Sequence, residues 1–337
     1  MKSKLMGIVI GIMLLTTFFV VAQPSETLTT KTSPHEPTIA SPSVDVPVYE
    51  VGDQWVYKVD NVSFEYAQGT QSIQLFLSTP QLPLEVTSTL GDYYTLSYGT
   101  KMNGSININS NRGNGPVNIS ITFKSADISG DLSVKKSDLS LKDISLSLDK
   151  QRCTFNIIQQ PYLPLPNFLK KIPTKLTLNL ETNCSPPITL LNFPLNTETF
   201  WNLSATNFSL DGKIQNFWFN VLNFINKVAA ILGIDLFPPE IGALLPTIDI
   251  GTALTTFIGG NVFQIPAFPA AFVCLNTENI TVPAGTYNAY NVTLGGGAGR
   301  YYYAPAAGKI IKLTGDLTDI IPYIHYVNLE LLSTNFS

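Results

Sequence analysis

The chain has 337 residues, a net charge of -4 and only 13% charged residues, about half the share of an ordinary soluble domain. That length supports a sizeable core, while the absence of clustered Lys and Arg excludes a nucleic-acid phosphate surface. Asn, Ser and Thr, rather than ionised groups, must keep the surface wetted.

Lys2 and Lys4 precede an uncharged run, 5–22. Two readings stand: a secretory signal peptide cleaved after Ala22, or an uncleaved anchor, since the run as a helix spans about 27 Å. Both export the remainder, so the expected location is secreted or tethered to the outer face of the cytoplasmic membrane, with the N-terminus near the bilayer. Residues 23–46 are Ser/Thr/Pro-rich with few large apolar side chains; they cannot bury enough surface to order themselves and read as a stalk. The expected exported domain is 47–337.

It opens at VYEVGDQWVYKVD, where Val51, Trp55, Tyr57 and Val59 share one parity, the mark of a strand. From 105 to 149 apolar and polar residues alternate almost without interruption, with breaks at Gly113, Gly115, Pro116, Gly130 and Lys135 to Ser137. Period two over this length predicts an antiparallel meander with one buried and one solvated face. From Gln160 the sequence turns Pro-, Leu- and aromatic-rich, and 160–272 reads as an apolar helical insertion. Trp201 stands in a frame loosely like that of Trp55. Residues 214–232 carry Phe217, Val221, Phe224, Val228 and Ile231 at helical spacing, flanked by Trp218, Leu222, Ile225 and Leu232, which predicts an amphipathic helix with a wide apolar side. After an uncharged, Pro/Gly/aromatic stretch at 238–272, five antiparallel strands are expected at FVCLNTENITV, GTYNAYNVTL, RYYYA, GKIIKLT and YIHYVNLELLS.

The tail string Thr281-Val282-Pro283-Ala284-Gly285-Thr286-Tyr287, then Tyr301-Tyr302-Tyr303-Ala304-Pro305 with Gly308-Lys309-Ile310-Ile311-Lys312, and Glu330-Leu331-Leu332, resembles secreted prokaryotic proteins of unknown function with the pattern "VPAGTF" and "YYSPxxGxVxK". Those families are similar in fold to LolA/LolB-type lipoprotein carriers. The resemblance covers roughly the last 65 residues and the opening strand, and its motifs are turn signatures rather than chemistry. It implies an α+β, mostly β fold: a large curved antiparallel sheet, a half-barrel, with helices packed on its concave face.

Catalytic signatures are missing from the sequence. His35 lies in the stalk and His325 in a strand, so histidine-based general-base or metal chemistry has no material. There is no G-x-S-x-G elbow; the GGGAG run at 295–299 and Gly308-Lys309 lack phosphate-loop spacing and read as turns. Asp127, Asp131, Asp138, Asp143 and Asp149 lack calcium-loop spacing. No cofactor or metal is expected. A hydrolase would need carboxylates assembled from distant strands, which sequence does not reveal.

What exceeds the needs of one sheet face is apolar side chain. The expected function is therefore non-catalytic binding of a hydrophobic, lipid-like ligand in a sheet–helix cavity. Phe217, Trp218, Val221, Phe224, Ile225, Val228, Phe257, Phe263 and Phe268 are the expected lining, and Tyr162, Leu163, Leu165 and Phe168 a lid. The alternative is a structural or adhesive surface glycoprotein whose apolar residues are all core or a partner interface. Nine sequons, at Asn61, Asn103, Asn118, Asn183, Asn202, Asn207, Asn279, Asn291 and Asn335, are candidate glycosylation sites, with Asn/Thr-rich strand composition as the competing account. A hairpin around a tip at 161–173 would set Cys153 opposite Cys184 as a disulfide; the competing reading is three buried thiols.

Overall fold

The computed structural model describes residues 43–68, 71–112, 115–159, 171–216, 247–249, 262–265, 267–294, 299–315 and 324–336, with scattered positions between 220 and 233. The leader at 1–22, most of the stalk, the expected lid residues Tyr162, Leu163, Leu165 and Phe168, and Phe217, Trp218, Ile225 and Phe257 lie outside them. Among the described residues no helix is long and apolar enough to cross a membrane.

Period two decides the architecture. The strands are β1 (Gln54–Gln68), β2 (Gln71–Ser88), β3 (Tyr93–Arg112), β4 (Gly115–Lys135), β5 (Leu141–Gln159), β6 (Lys171–Ile188), β7 (Thr199–Leu203), β8 (Thr206–Asn216), β9 (Thr247–Asp249), β10 (Val262–Ile265), β11 (Phe268–Val282), β12 (Gly285–Leu294), β13 (Gly299–Ala304), β14 (Lys309–Gly315) and β15 (Ile324–Thr334). All join one antiparallel sheet, in the order β10-β8-β6-β5-β4-β3-β2-β1-β15-β14-β13-β12-β11-β7, with β9 beside β8. The opening strand β1 pairs with the closing strand β15, Trp55 opposite Thr334 and Val59 opposite Leu329. The five tail strands and the meander appear as expected. Val51 does not belong to its strand: it sits in a turn, 64% exposed.

One face is the core. Trp55, Tyr57 and Val59 of β1, Leu96 of β3, Leu146 and Leu148 of β5, Ile311 and Leu313 of β14 and Leu329 and Leu331 of β15 are all buried. Lys58, Asp60, Lys312 and Glu330 occupy the opposite parity and pair there, Lys312 with Glu330 at 2.7 Å. The sheet is strongly bent. Inward residues of β4 and of β13 line a common cavity, yet six ladder spacings of about 4.8 Å would set those strands roughly 29 Å apart in a flat sheet.

The bend has a visible cause. Register shifts fall at Tyr57/Val59 and Val59/Val62 in β1, Ser78/Leu84 in β2, Met102/Gly104 in β3 and Leu148/Gln151 in β5, a line of bulges crossing the long strands at one level. Ser125 and Lys150 adopt positive φ (49° and 48°) on it, and bulges both bend a strand and increase its twist. At this crease the Gly104 backbone lies so close to the Leu77 and Phe123 side chains that a Cβ would collide with both rings and methyls. Gly130, expected as a break between strands, instead lies inside β4, where a Cβ would run into the Ser145 carbonyl and the Tyr98 hydroxyl.

Helices on the concave face are not found among the described residues. Two irregular straps, 43–50 and 189–198, cover it, and are joined by a backbone bridge between Val44 and Leu195. The 160–272 segment is a correction as well: it supplies β6 to β10 and the start of β11, and its described helical positions are confined to 220–231.

Candidate functional site

The straps are apolar on the side that meets the sheet. Tyr49, 2% exposed, packs edge-on to Trp55 with ring centroids 4.9 Å apart, and meets Tyr94 at the same separation. Leu190, Leu191 and Leu195 of the second strap are buried, and Phe193 meets Tyr303 edge-on at 5.7 Å. Tyr301 donates its hydroxyl proton to the Leu190 carbonyl at 2.5 Å. This bond helps tie the strap to the sheet, because a buried phenol left without an acceptor is costly.

Between straps and sheet lies a cavity of about 140 Å³. Its wall includes Tyr57 and Val59 of β1, Leu82 and Leu84 of β2, Tyr98 and Met102 of β3, Ile128, Leu132 and Val134 of β4, Leu139 of the β4–β5 turn, Leu141 and Leu146 of β5, Tyr301 of β13, Ile310 and Leu313 of β14, Leu329 of β15, and Leu190 and Leu191. Among the described residues that line it, Lys309 alone carries a charge.

Lys309 begins β14, just after Gly308, which takes the left-handed conformation (φ 62°) that ends the short 3₁₀ turn Pro305–Ala307. It shares parity with buried Ile311 and Leu313, so it faces inward. Its Nζ stands 4.7 Å from the Tyr49 ring centre and 5.1 Å from that of Trp55, a geometry that favours the cation. Burial works the other way and lowers its pKa from 10.5 to about 7. No ion pair among the described residues includes it. Nearby main-chain acceptors already have donors: Trp55 Nε1–H donates to the Ala307 carbonyl (2.6 Å), Tyr49 Oη–H to that of Gly308 (2.6 Å) and Tyr57 Oη–H to that of Ile310 (2.9 Å). The phenols of Tyr49, Tyr57, Tyr301 and Tyr303 are all pushed upward, chiefly by burial.

Among the described residues, Phe224, Val228 and Val221 do not line this cavity. Phe224 is 68% and Val228 41% exposed, and Val221 is half-buried away from the cavity wall. Phe263 stands in β10 opposite Phe208, and Phe268 in β11 opposite Leu203, both in strands at the ends of the sheet order rather than beside β1. The cavity is lined by strand residues and a strap. The readable signal for Lys309 was its parity in KIIKLT: of the two lysines it is the one in phase with Ile311 and Leu313.

The Cys153–Cys184 disulfide is also corrected. The β5–β6 hairpin exists, but its register sets Cys153 opposite Thr174. Cys184 lies ten residues further along, about 33 Å away, far beyond the roughly 7 Å that a disulfide spans. Both, with Cys274, are buried free thiols, with pKa pushed up by burial to about 11, 12 and 11 for Cys153, Cys184 and Cys274. Among the sequons, Asn103, Asn183, Asn202, Asn207, Asn279 and Asn335 are exposed. Asn291 is 5% exposed and donates through Nδ2 to Glu278 Oε1 at 2.7 Å, so the folded chain has no room for a glycan there. Asn61 and Asn118 stand in β1 and β4, and His325 in β15.

Comparison of the chain with protein-family models, curated proteins and solved structures found no match.

Proposed function

We propose that the protein is an extracytoplasmic, non-catalytic binding protein that holds a hydrophobic molecule between its bent sheet and the two straps. The observation that supports this reading is the cavity itself, walled by aliphatic and tyrosyl side chains from β1 to β5, β13, β14 and β15. A core built only for stability closes such spaces, since each void forfeits dispersion contacts. The half-barrel of lipoprotein carriers, implied by the tail motifs, is the architecture in which a bent sheet keeps such a space.

The volume limits the occupant. An apolar cavity of roughly 150 Å³ holds a benzene ring, and drug-sized ligands need about 300 Å³ or more. At about 140 Å³ the space takes a six-carbon chain or the end of a longer one. A longer chain would require the straps to lift. Native mass spectrometry before and after organic extraction tests the reading: an extractable apolar adduct is expected. A clean apo mass from protein expressed in its own membrane-containing host would overturn it.

The structural or adhesive reading has one observation of its own. Phe224, Val228 and Ile231 recur at helical spacing and are 68%, 41% and 84% exposed, an apolar stripe suited to a partner. Concentration-dependent self-association abolished by Phe224→Ser would favour it.

A further inference from the structure

We propose that Lys309 is the head-group site of this cavity, its ammonium pairing with the carboxylate of a ligand whose short apolar chain fills the space beside it. The inference rests on the reading of the cavity as a ligand site and adds the ligand's chemical class: a monoanionic amphiphile, not a neutral hydrocarbon or a cation.

Three observations carry it. First, among the described residues the ammonium has no counter-charge: the ion pairs of the neighbouring strands, Lys58 with Asp60 and Lys312 with Glu330, lie on the opposite face of the sheet. Second, the rings of Tyr49 and Trp55 hold the ammonium in place but accept none of its three N–H donors conventionally. The carbonyls of Ala307, Gly308 and Ile310, its neighbours in the chain, each accept a hydrogen bond from another side chain, Trp55, Tyr49 and Tyr57. Third, Lys309 retains accessible surface although Ala307, Ile311 and Trp55 about it are fully buried, and it is part of the cavity wall. A methionine would fill the same volume without the cost of an unpaired charge. A positive charge beside aliphatic wall is the arrangement that recognises an acid on an apolar chain.

The charge state also sets a pH dependence. With its pKa near 7, Lys309 is mainly cationic at pH 6 and mainly neutral at pH 8.5. The titratable groups around it are the phenols of Tyr49 and Tyr94 on one side, Tyr57 on β1 and Tyr301 and Tyr303 on β13; Asp53 is felt at Tyr49. The raised phenols of Tyr49, Tyr57, Tyr301 and Tyr303 stay neutral over this range.

The test is calorimetric titration of the full folded domain and its Lys309→Met variant with hexanoate, 1-hexanol and hexylammonium at pH 6 and 8.5. Wild type should prefer hexanoate to hexanol by about tenfold to a hundredfold at pH 6, the range of a charge-assisted hydrogen bond, lose most of that preference at pH 8.5, and refuse hexylammonium. Lys309→Met should bind hexanoate at least tenfold more weakly than wild type and no longer prefer it to hexanol. Equal binding of hexanoate and hexanol, unchanged by Lys309→Met, would overturn the head-group assignment and leave the cavity reading standing. Failure of both probes to bind wild type would overturn the cavity reading, and this inference with it.

Discussion

Removing the Lys309 charge should make the protein more stable, and by an amount that depends on pH. Burial lowers its pKa from 10.5 to about 7, so between those values the unfolded chain binds more protons than the folded one and stability rises with pH. At about 1.36 kcal/mol per unit, the native state at pH 7 carries roughly 4 kcal/mol that Lys309→Met would relieve; by pH 8.5 the difference shrinks by roughly a third. The buried thiols oppose this trend, because their raised pKa values leave the unfolded state with fewer protons as pH climbs toward 9. They do so equally in both proteins. Urea denaturation of wild type and Lys309→Met at pH 7, 7.75 and 8.5 therefore isolates Lys309 in the difference curve. The variant should be more stable at every pH, with the gap narrowing upward. A variant less stable than wild type, or a gap independent of pH, would refute the placement of the ammonium among Tyr49, Trp55 and the cavity wall.

Two further outcomes follow from packing and burial. Gly130→Ala should lower stability by about 1–3 kcal/mol in a thermal or urea melt, the usual result of forcing atoms into a packed site, because the new methyl meets the Ser145 carbonyl and the Tyr98 hydroxyl; Gly99→Ala, on the exposed side of β3 with open space around it, should be much milder. Native protein at pH 8 should resist iodoacetamide at Cys153, Cys184 and Cys274 and take up three equivalents in urea without reductant; a peptide map showing a Cys153–Cys184 disulfide would contradict the β5–β6 register.

Much of the sheet was readable because strand alternation is local. The tail strands carry their own turn residues, Ala284-Gly285 and Pro305 to Gly308 among them, and β1 carries Trp55, Tyr57 and Val59 in phase. Pairing between distant strands leaves no such mark: nothing near Trp55 announces Thr334 as its partner, although that contact places β1 mid-sheet and lets β13 curl toward β4. Register was invisible for the same reason, and a five-residue misplacement of the β5–β6 hairpin centre was enough to propose the Cys153–Cys184 bridge. Helical periodicity pointed to Phe224 and Val228 because it marks an apolar face but not what that face meets, and both are exposed. The cavity lining, Met102, Ile128, Leu132 and Leu146, reads as ordinary strand core. Bulges crossing β1 to β5 help turn that core inward upon β13, and bulges depend on the partner strand.

The most direct test of the account asks whether the space between straps and sheet is where a ligand goes. Met102 lines it from β3, and Met102→Trp would fill much of about 140 Å³ while leaving the outer face of the sheet untouched. Calorimetric titration with 1-hexanol should show saturable binding to wild type and at least a tenfold loss in Met102→Trp, whose far-ultraviolet circular dichroism stays that of the β-sheet. Hexanol binding of equal affinity in both proteins would contradict the account.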